Sequence, residues 1–142
     1  MDTVGLIVVL GTLAVATVAG LMLKARAGKV RDTAAEGTGV DGWALAGMAP
    51  GAGRDVLLLQ LSSPVCMPCR QTAAVLEDLA VREPRVAHVE IDVADRPDVA
   101  RELGVLRTPT TVAFGAGGVE LLRVSGVPRV AELEGALARE LA

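Results

Sequence analysis

Cys66 and Cys69 are the only cysteines among 142 residues, and they enclose Met67 and Pro68. Two thiols at this spacing, at the start of a helix, lie close enough to join as a disulfide. The free N–H groups of the helix start favour a thiolate at the first of them. Such a pair is the minimal apparatus for reversible thiol–disulfide exchange. Cys66 is the expected nucleophile: its thiolate attacks a substrate disulfide, and Cys69, one turn on, resolves the mixed disulfide. With both cysteines inside the motif there is no structural disulfide framework, and no second Cys-x-x-Cys to complete a four-thiolate zinc site. The competing interpretation is a pair of buried structural thiols. No metal or other cofactor is expected beyond the Cys66–Cys69 disulfide itself. Pro68 sits where a missing N–H costs little and limits the donors near the thiolates. Met67 either touches substrate and tunes the potential or is a neutral filler.

The elements that must position this pair follow from hydrophobic periodicity. Val56 to Leu61 is a short apolar run and reads as a buried strand, followed by a loop at Ser62-Ser63-Pro64-Val65. A helix is predicted from Cys66 to Val81, with Val75, Leu76 and Leu79 on one face, ended by Glu83-Pro84. Val86 to Ile91 reads as a second strand. Asp95 to Leu103 reads as a short helix with Pro97 in its first turn and Gly104 after it. Thr110 to Phe114 and Val119 to Val124 flank the turn Gly115-Ala116-Gly117-Gly118, too short for a crossover, and so form an antiparallel hairpin. A last helix starts near Arg129, with Val130, Leu133, Leu137 and Leu141 inward. The expected order is β-α-β-α-β-β-α, an α/β fold with a mixed four-stranded sheet flanked by helices.

Ahead of this unit, residues 4–23 carry no charge and are long enough to cross a bilayer as a helix. They follow a short flank, residues 1–3. A cleaved signal peptide is the alternative, since Ala14-Val15-Ala16 looks like a cleavage site. The run is long for a signal peptide, however, and no basic segment precedes it. Residues 24–54 read as a juxtamembrane linker rich in Gly, Ala, Thr, Asp and Pro, with Gly37-Thr38-Gly39 and Pro50-Gly51-Ala52-Gly53 as examples. Trp43 to Met48 is an apolar island in it, able to dock on the domain or lie at the membrane surface. Residues 55–142 form the folded domain. Lys24, Arg26, Lys29 and Arg31 follow the apolar span and place the domain in the cytoplasm by the positive-inside rule; an extracytoplasmic domain is the alternative. A net charge of −3, with one Trp, one Phe and no Tyr, argues against nucleic-acid binding.

The element order, with Cys-x-x-Cys between the first strand and first helix, resembles the thioredoxin family. Arg107-Thr108-Pro109-Thr110 stands where that family places a cis-proline facing its cysteines. Val89-Glu90-Ile91-Asp92, Gly104-Val105, Phe114-Gly115-Ala116-Gly117 and Gly126 match further landmarks. The likeness covers roughly residues 55–142, and with the apolar span the chain looks like a membrane-anchored member of the family. Its Ala-, Val- and Arg-rich composition suggests a high-GC bacterium, and hence a single-pass protein of a bacterial plasma membrane.

The resemblance implies a cis bond at Pro109, which keeps a backbone N–H away from the cysteines. It also implies that the main chain of Thr108 pairs with an extended substrate. Several positions depart from the pattern, Ser63 and Pro64 among them, where acidic or aromatic neighbours are typical. Val65 replaces the usual Trp before the first cysteine, which bears on substrate contact. Gln60 falls where the family carries a buried Asp, so no carboxylate there assists Cys69 unless Glu90 or another acid substitutes. His88, the only histidine, falls where a Lys is common. His88 and Gln60 are a candidate proton-relaying pair, unless His88 is an ordinary half-exposed strand residue.

The expected function is a membrane-tethered thiol–disulfide oxidoreductase, more a reductase than an oxidase. It would act on protein or small-molecule disulfides and be recharged by an unidentified electron donor. Two other classes compete. Cys66, Met67 and Cys69 are soft ligands suited to Cu(I), but His88 is the only histidine to complete such a site. A non-catalytic partner-binding module would not need the intact cysteine pair or Pro109.

Overall fold

A computed structural model describes residues 2–34 and 39–142. Ten elements follow in chain order: α1 (Thr3–Arg26), β1 (Val30–Asp32), α2 (Gly42–Leu45), β2 (Val56–Ser62), α3 (Met67–Arg82), β3 (Val86–Asp92), α4 (Pro97–Glu102), β4 (Thr110–Gly115), β5 (Glu120–Ser125) and α5 (Val130–Leu141). From β2 onward, each expected element is present to within two residues.

The sheet has the order β1-β5-β4-β2-β3. β2 and β3 run parallel and the other pairings are antiparallel. β2 is an interior strand, buried along its whole length, which is why it reads as a continuous apolar run rather than an alternating one. Its side chains divide by parity between two layers. Val56 and Leu58 join Leu76 and Leu79 of α3 and Leu133 and Leu137 of α5 on one face. Leu57, Leu59 and Leu61 join Trp43, Val99, Leu103 and Phe114 on the other. Gln60 has the parity of Val56 and Leu58, so it projects under α3.

Two features correct the expected organisation. The sheet has five strands, not four, and residues 24–54 are not a simple linker. Lys24 to Arg26 complete α1. β1 then pairs with β5 in the register Val30↔Val124, Arg31↔Arg123 and Asp32↔Leu122. Beyond β1, Thr33 Oγ1 donates to Glu120 Oε1 at 2.8 Å, and Arg123 Nε and Nη2 donate to the same carboxylate at 2.9 Å each.

The apolar island docks on the domain. Asp41 caps α2, its Oδ1 accepting from Trp43 N at 3.0 Å and Ala44 N at 3.4 Å. Trp43 is fully buried, and its Nε1 donates to Gly115 O at 2.8 Å. Gly42 lies against the Phe114 ring so closely that a Cβ would stand 2.1 Å from Phe114 Cγ. This layer closes the face of the sheet opposite α3. Gly37 and Thr38 of the expected linker, and Met1 of the flank, lie outside the described residues.

α1 is 24 residues long and apolar, and none of its residues is buried against the domain. By length and composition it is able to cross a membrane.

Candidate active site

The site lies where β2 ends and α3 begins. A strand-to-helix turn at this point leaves the first N–H groups of the helix unpaired within it. Cys66 is the N-cap of α3, and its Sγ accepts from Cys69 N at 3.2 Å. Cys66 O accepts from Arg70 N at 3.3 Å. The two sulfurs are joined as a disulfide with an S–S distance of 2.07 Å and Cα atoms 5.2 Å apart. Cys66 is half-buried, while Cys69 retains only 2% of its surface. A reagent from solvent therefore meets Cys66 first, and Cys69 is positioned to act from within.

Apolar side chains stand on either side of the reactive sulfur. Val65 is 96% exposed and Met67 61% exposed. Both flank Cys66 in sequence, and Pro68 is exposed beside them. Leu106, 98% exposed, lies on the neighbouring loop before β4. Sequence reasoning missed it; the available signal was an apolar residue in a loop between Gly104 and Pro109, with no core position to fill.

The two loops are joined. Ser63 Oγ and Thr108 Oγ1 are 3.1 Å apart, a hydrogen bond from the loop before Cys66 to the residue before Pro109. The Thr108–Pro109 peptide bond is cis. Pro109 is buried, and its carbonyl accepts from Gly126 N at 2.8 Å. Thr110 Oγ1 donates to Arg107 O at 2.8 Å, closing the turn.

Beneath Cys69 lies a polar group inside the apolar layer. Gln60 is fully buried. Its Nε2 donates to Cys69 O and to Ser62 Oγ, both at 2.9 Å, with Glu90 Oε1 at 3.5 Å. A carbonyl only accepts, so the contact with Cys69 O fixes the amide orientation. Gln60 Oε1 then faces His88 Nε2 at 3.0 Å, so the neutral ring carries its proton on Nε2 and donates it. Burial holds the His88 pKa below its ordinary value of 6.5, against the opposing influence of Glu77 and Glu90. The structure thus brings Gln60 and His88 together and connects them to the backbone of Cys69. Ser62 is a further member that the sequence did not single out. Among the described residues, no three His, Cys, Asp or Glu side chains converge on a metal-holding arrangement.

Residues 52–139 match the sequence model of the Thioredoxin family. An H10-type thioredoxin of Arabidopsis thaliana is 37% identical over 62 residues, which are 44% of this chain and 40% of that protein. Thioredoxin 1 of Nostoc sp. is 30% identical over 74 residues, 51% of this chain and 69% of the relative. The chain thus spans 40% of the first curated relative and 69% of the second. The solved thioredoxin of Fasciola hepatica superposes with a TM-score of 0.54 at 30% identity, over 62% of this chain and 82% of the other. Since the family match takes in more than half of its length and the disulfide at the start of α3, this chain belongs to the thioredoxin family.

Proposed function

We propose that this protein is a membrane-tethered thiol–disulfide oxidoreductase that works as a reductase. The observation that carries the reading is the asymmetry of the pair. Cys66 caps a helix at the surface, and Cys69 is buried one turn inside.

In the reduced state the Cys66 thiolate attacks one sulfur of a substrate disulfide. A Cys66 Sγ–substrate bond forms, the substrate S–S bond breaks, and the departing thiolate takes up a proton. Cys69 then loses its proton and attacks Cys66 Sγ. The mixed disulfide breaks, the second substrate thiol leaves, and Cys66–Cys69 closes. Two electrons and two protons pass from the pair to the substrate, and a dithiol donor returns them.

Helix N-terminal N–H groups stabilise the Cys66 thiolate. Val65, Met67 and Pro68 offer apolar contact to the substrate, and the main chain of Thr108 before Pro109 pairs with it as an added strand. Beneath Cys69 the Gln60 amide, oriented by the His88 N–H, stands in place of a carboxylate and holds the Cys69 carbonyl; it positions the cysteine and does not take its proton. α1 anchors the chain in a bacterial plasma membrane, with Lys24, Arg26, Lys29 and Arg31 marking the cytoplasmic side.

The test is trapping. A Cys69→Ser variant incubated with a protein disulfide accumulates a mixed disulfide at Cys66, and Cys66→Ser has no exchange activity. Full activity in Cys66→Ser would overturn the reading.

A further inference from the structure

We infer that the active site is held facing the bilayer, and that its substrate is a disulfide of an integral membrane protein lying at the membrane surface. This rests on the redox and membrane readings proposed above and adds to them the substrate's position.

The argument follows the hydrogen bonds from the anchor to the site. β1 is antiparallel to β5, so the chain leaving α1 enters the sheet at the end where β5 stops. Gly28 N donates to Ser125 O at 2.8 Å, and Arg129 N donates to Gly28 O at 3.2 Å. Arg129 Nη2 also donates to Ala25 O, in the last turn of α1, at 2.8 Å. A guanidinium on a terminal carbonyl satisfies an orphan acceptor and opposes the helix dipole.

The junction is tight. Gly28 has φ +72, and a Cβ there would stand 2.2 Å from Val127 O. A Cβ on Gly126 would lie 3.4 Å from Gly28 N and 3.7 Å from the Ala27 side chain. Gly126 N in turn donates to Pro109 O at 2.8 Å. The residue capping α1 therefore lies close enough to the glycine hydrogen-bonded to the cis-proline that a Cβ there would reach it. One residue, Ala27, separates α1 from Gly28, the first residue whose backbone N–H is bonded to the sheet.

This is the end of the sheet that carries the reactive cysteine. β2 delivers Cys66 from its C-terminal end, β4 begins just after Pro109, and β5 ends at Ser125 beside Thr110. None of α1 is buried, so the helix leaves the domain at this end instead of folding back along its side. A bilayer around α1 then lies against the site-bearing end. Lys24, Arg26 and Lys29 at the junction match an anionic headgroup layer. The exposed Val65, Met67 and Leu106 give the same end an apolar rim suited to a partially dehydrated segment.

A flexible tether would let the domain sample disulfides far above the membrane. This junction confines it to those at the surface, which favours a membrane protein as partner over a freely diffusing one.

The experiment uses the full chain in phosphatidylcholine–phosphatidylglycerol vesicles, with two single-span peptides as substrates. One carries its disulfide just outside the apolar span. The other carries it on a rigid helical stalk of about 20 residues, ~30 Å above the surface. Exchange with bis(2-hydroxyethyl) disulfide is followed in parallel. The surface peptide is expected to react at least about tenfold faster than the stalked one. A Gly/Ser insertion of about ten residues between Arg26 and Ala27 keeps the Gly28 contacts and β1, and is expected to bring the two rates together. Equal rates on both peptides by the uninserted chain, or a faster stalked peptide, with small-disulfide exchange intact, would overturn this inference and leave the redox reading standing. Loss of exchange with the small disulfide would overturn the redox reading itself.

Discussion

The Gln60 side chain donates a 2.9 Å hydrogen bond to the carbonyl of Cys69, binding the buried cysteine's backbone to β2. A neutral amide thus occupies the place beneath the site where an acid would titrate. It holds α3 without contributing an ionisation. The pH–rate profile of Cys69 attack on a preformed mixed disulfide should therefore follow thiol ionisation alone. Gln60→Asp should add a carboxylate-type step. Stopped-flow measurement of both proteins decides this, and such a step in the wild-type profile would contradict it.

Removing the amide should also weaken the fold. Gln60→Leu leaves Cys69 O, Ser62 Oγ and the His88 N–H without this partner inside an apolar layer, at a cost of about 1–3 kcal/mol. Urea unfolding of a soluble 27–142 fragment measures it.

His88 makes stability depend on pH with a definite sign. Burial is the main cause of its lowered pKa, so the unfolded chain binds the proton more readily than the folded one. The neutral ring's contribution is complete above the unfolded value of about 6.5. It is lost as pH falls from there toward the folded value. His88→Gln should show a smaller loss of stability between about pH 7.5 and about pH 5.5 than wild type. The pair of urea midpoints for each protein provides the comparison.

Trp43 should be a principal anchor of the domain. Trp43→Ala removes a fully buried ring and its bond to Gly115 O, and should cost about 3–5 kcal/mol. A fragment starting at Gly53 loses β1 and α2 together and should be less stable than one starting at Ala27. Thermal unfolding of the two fragments tests this.

Glu120, the one acid of the hairpin, should be hard to replace. It is 2% exposed and accepts from Thr33 and Arg123, and Arg123 Nη1 also donates to Leu103 O at 2.7 Å. Glu120→Ala strands a partly buried guanidinium and should cost about 3–5 kcal/mol, read by the same unfolding assay.

The region from β2 onward was legible because its signals are local. The run at 56–61, the Gly-rich turn before Val119 and the inward Leu spacing of α5 each specify an element without outside help. Cys-x-x-Cys and Pro109 specified the site by type and spacing. β1 and α2 were not legible, since a three-residue strand and a four-residue helix carry too little periodicity to register. Both exist because tertiary contacts hold them: β5 provides β1's partner, and the Phe114 side of the sheet receives Trp43. The Asp41-Gly42-Trp43 cap was the one local hint. Leu106 went unnoticed because an exposed apolar side chain has no pattern to betray it, and the junction at Gly28 because its partners lie about a hundred residues away in the chain.

The reduction potential of the Cys66–Cys69 pair in the full chain, equilibrated against a glutathione series with thiol trapping, tests the central claim most directly. A reductase predicts one two-electron transition near the thioredoxin end of the scale, about −270 mV. A transition near −120 mV, about where a disulfide donor lies, would contradict the reductase reading. Absence of a Cys66–Cys69 disulfide at every poise would contradict the redox function as a whole.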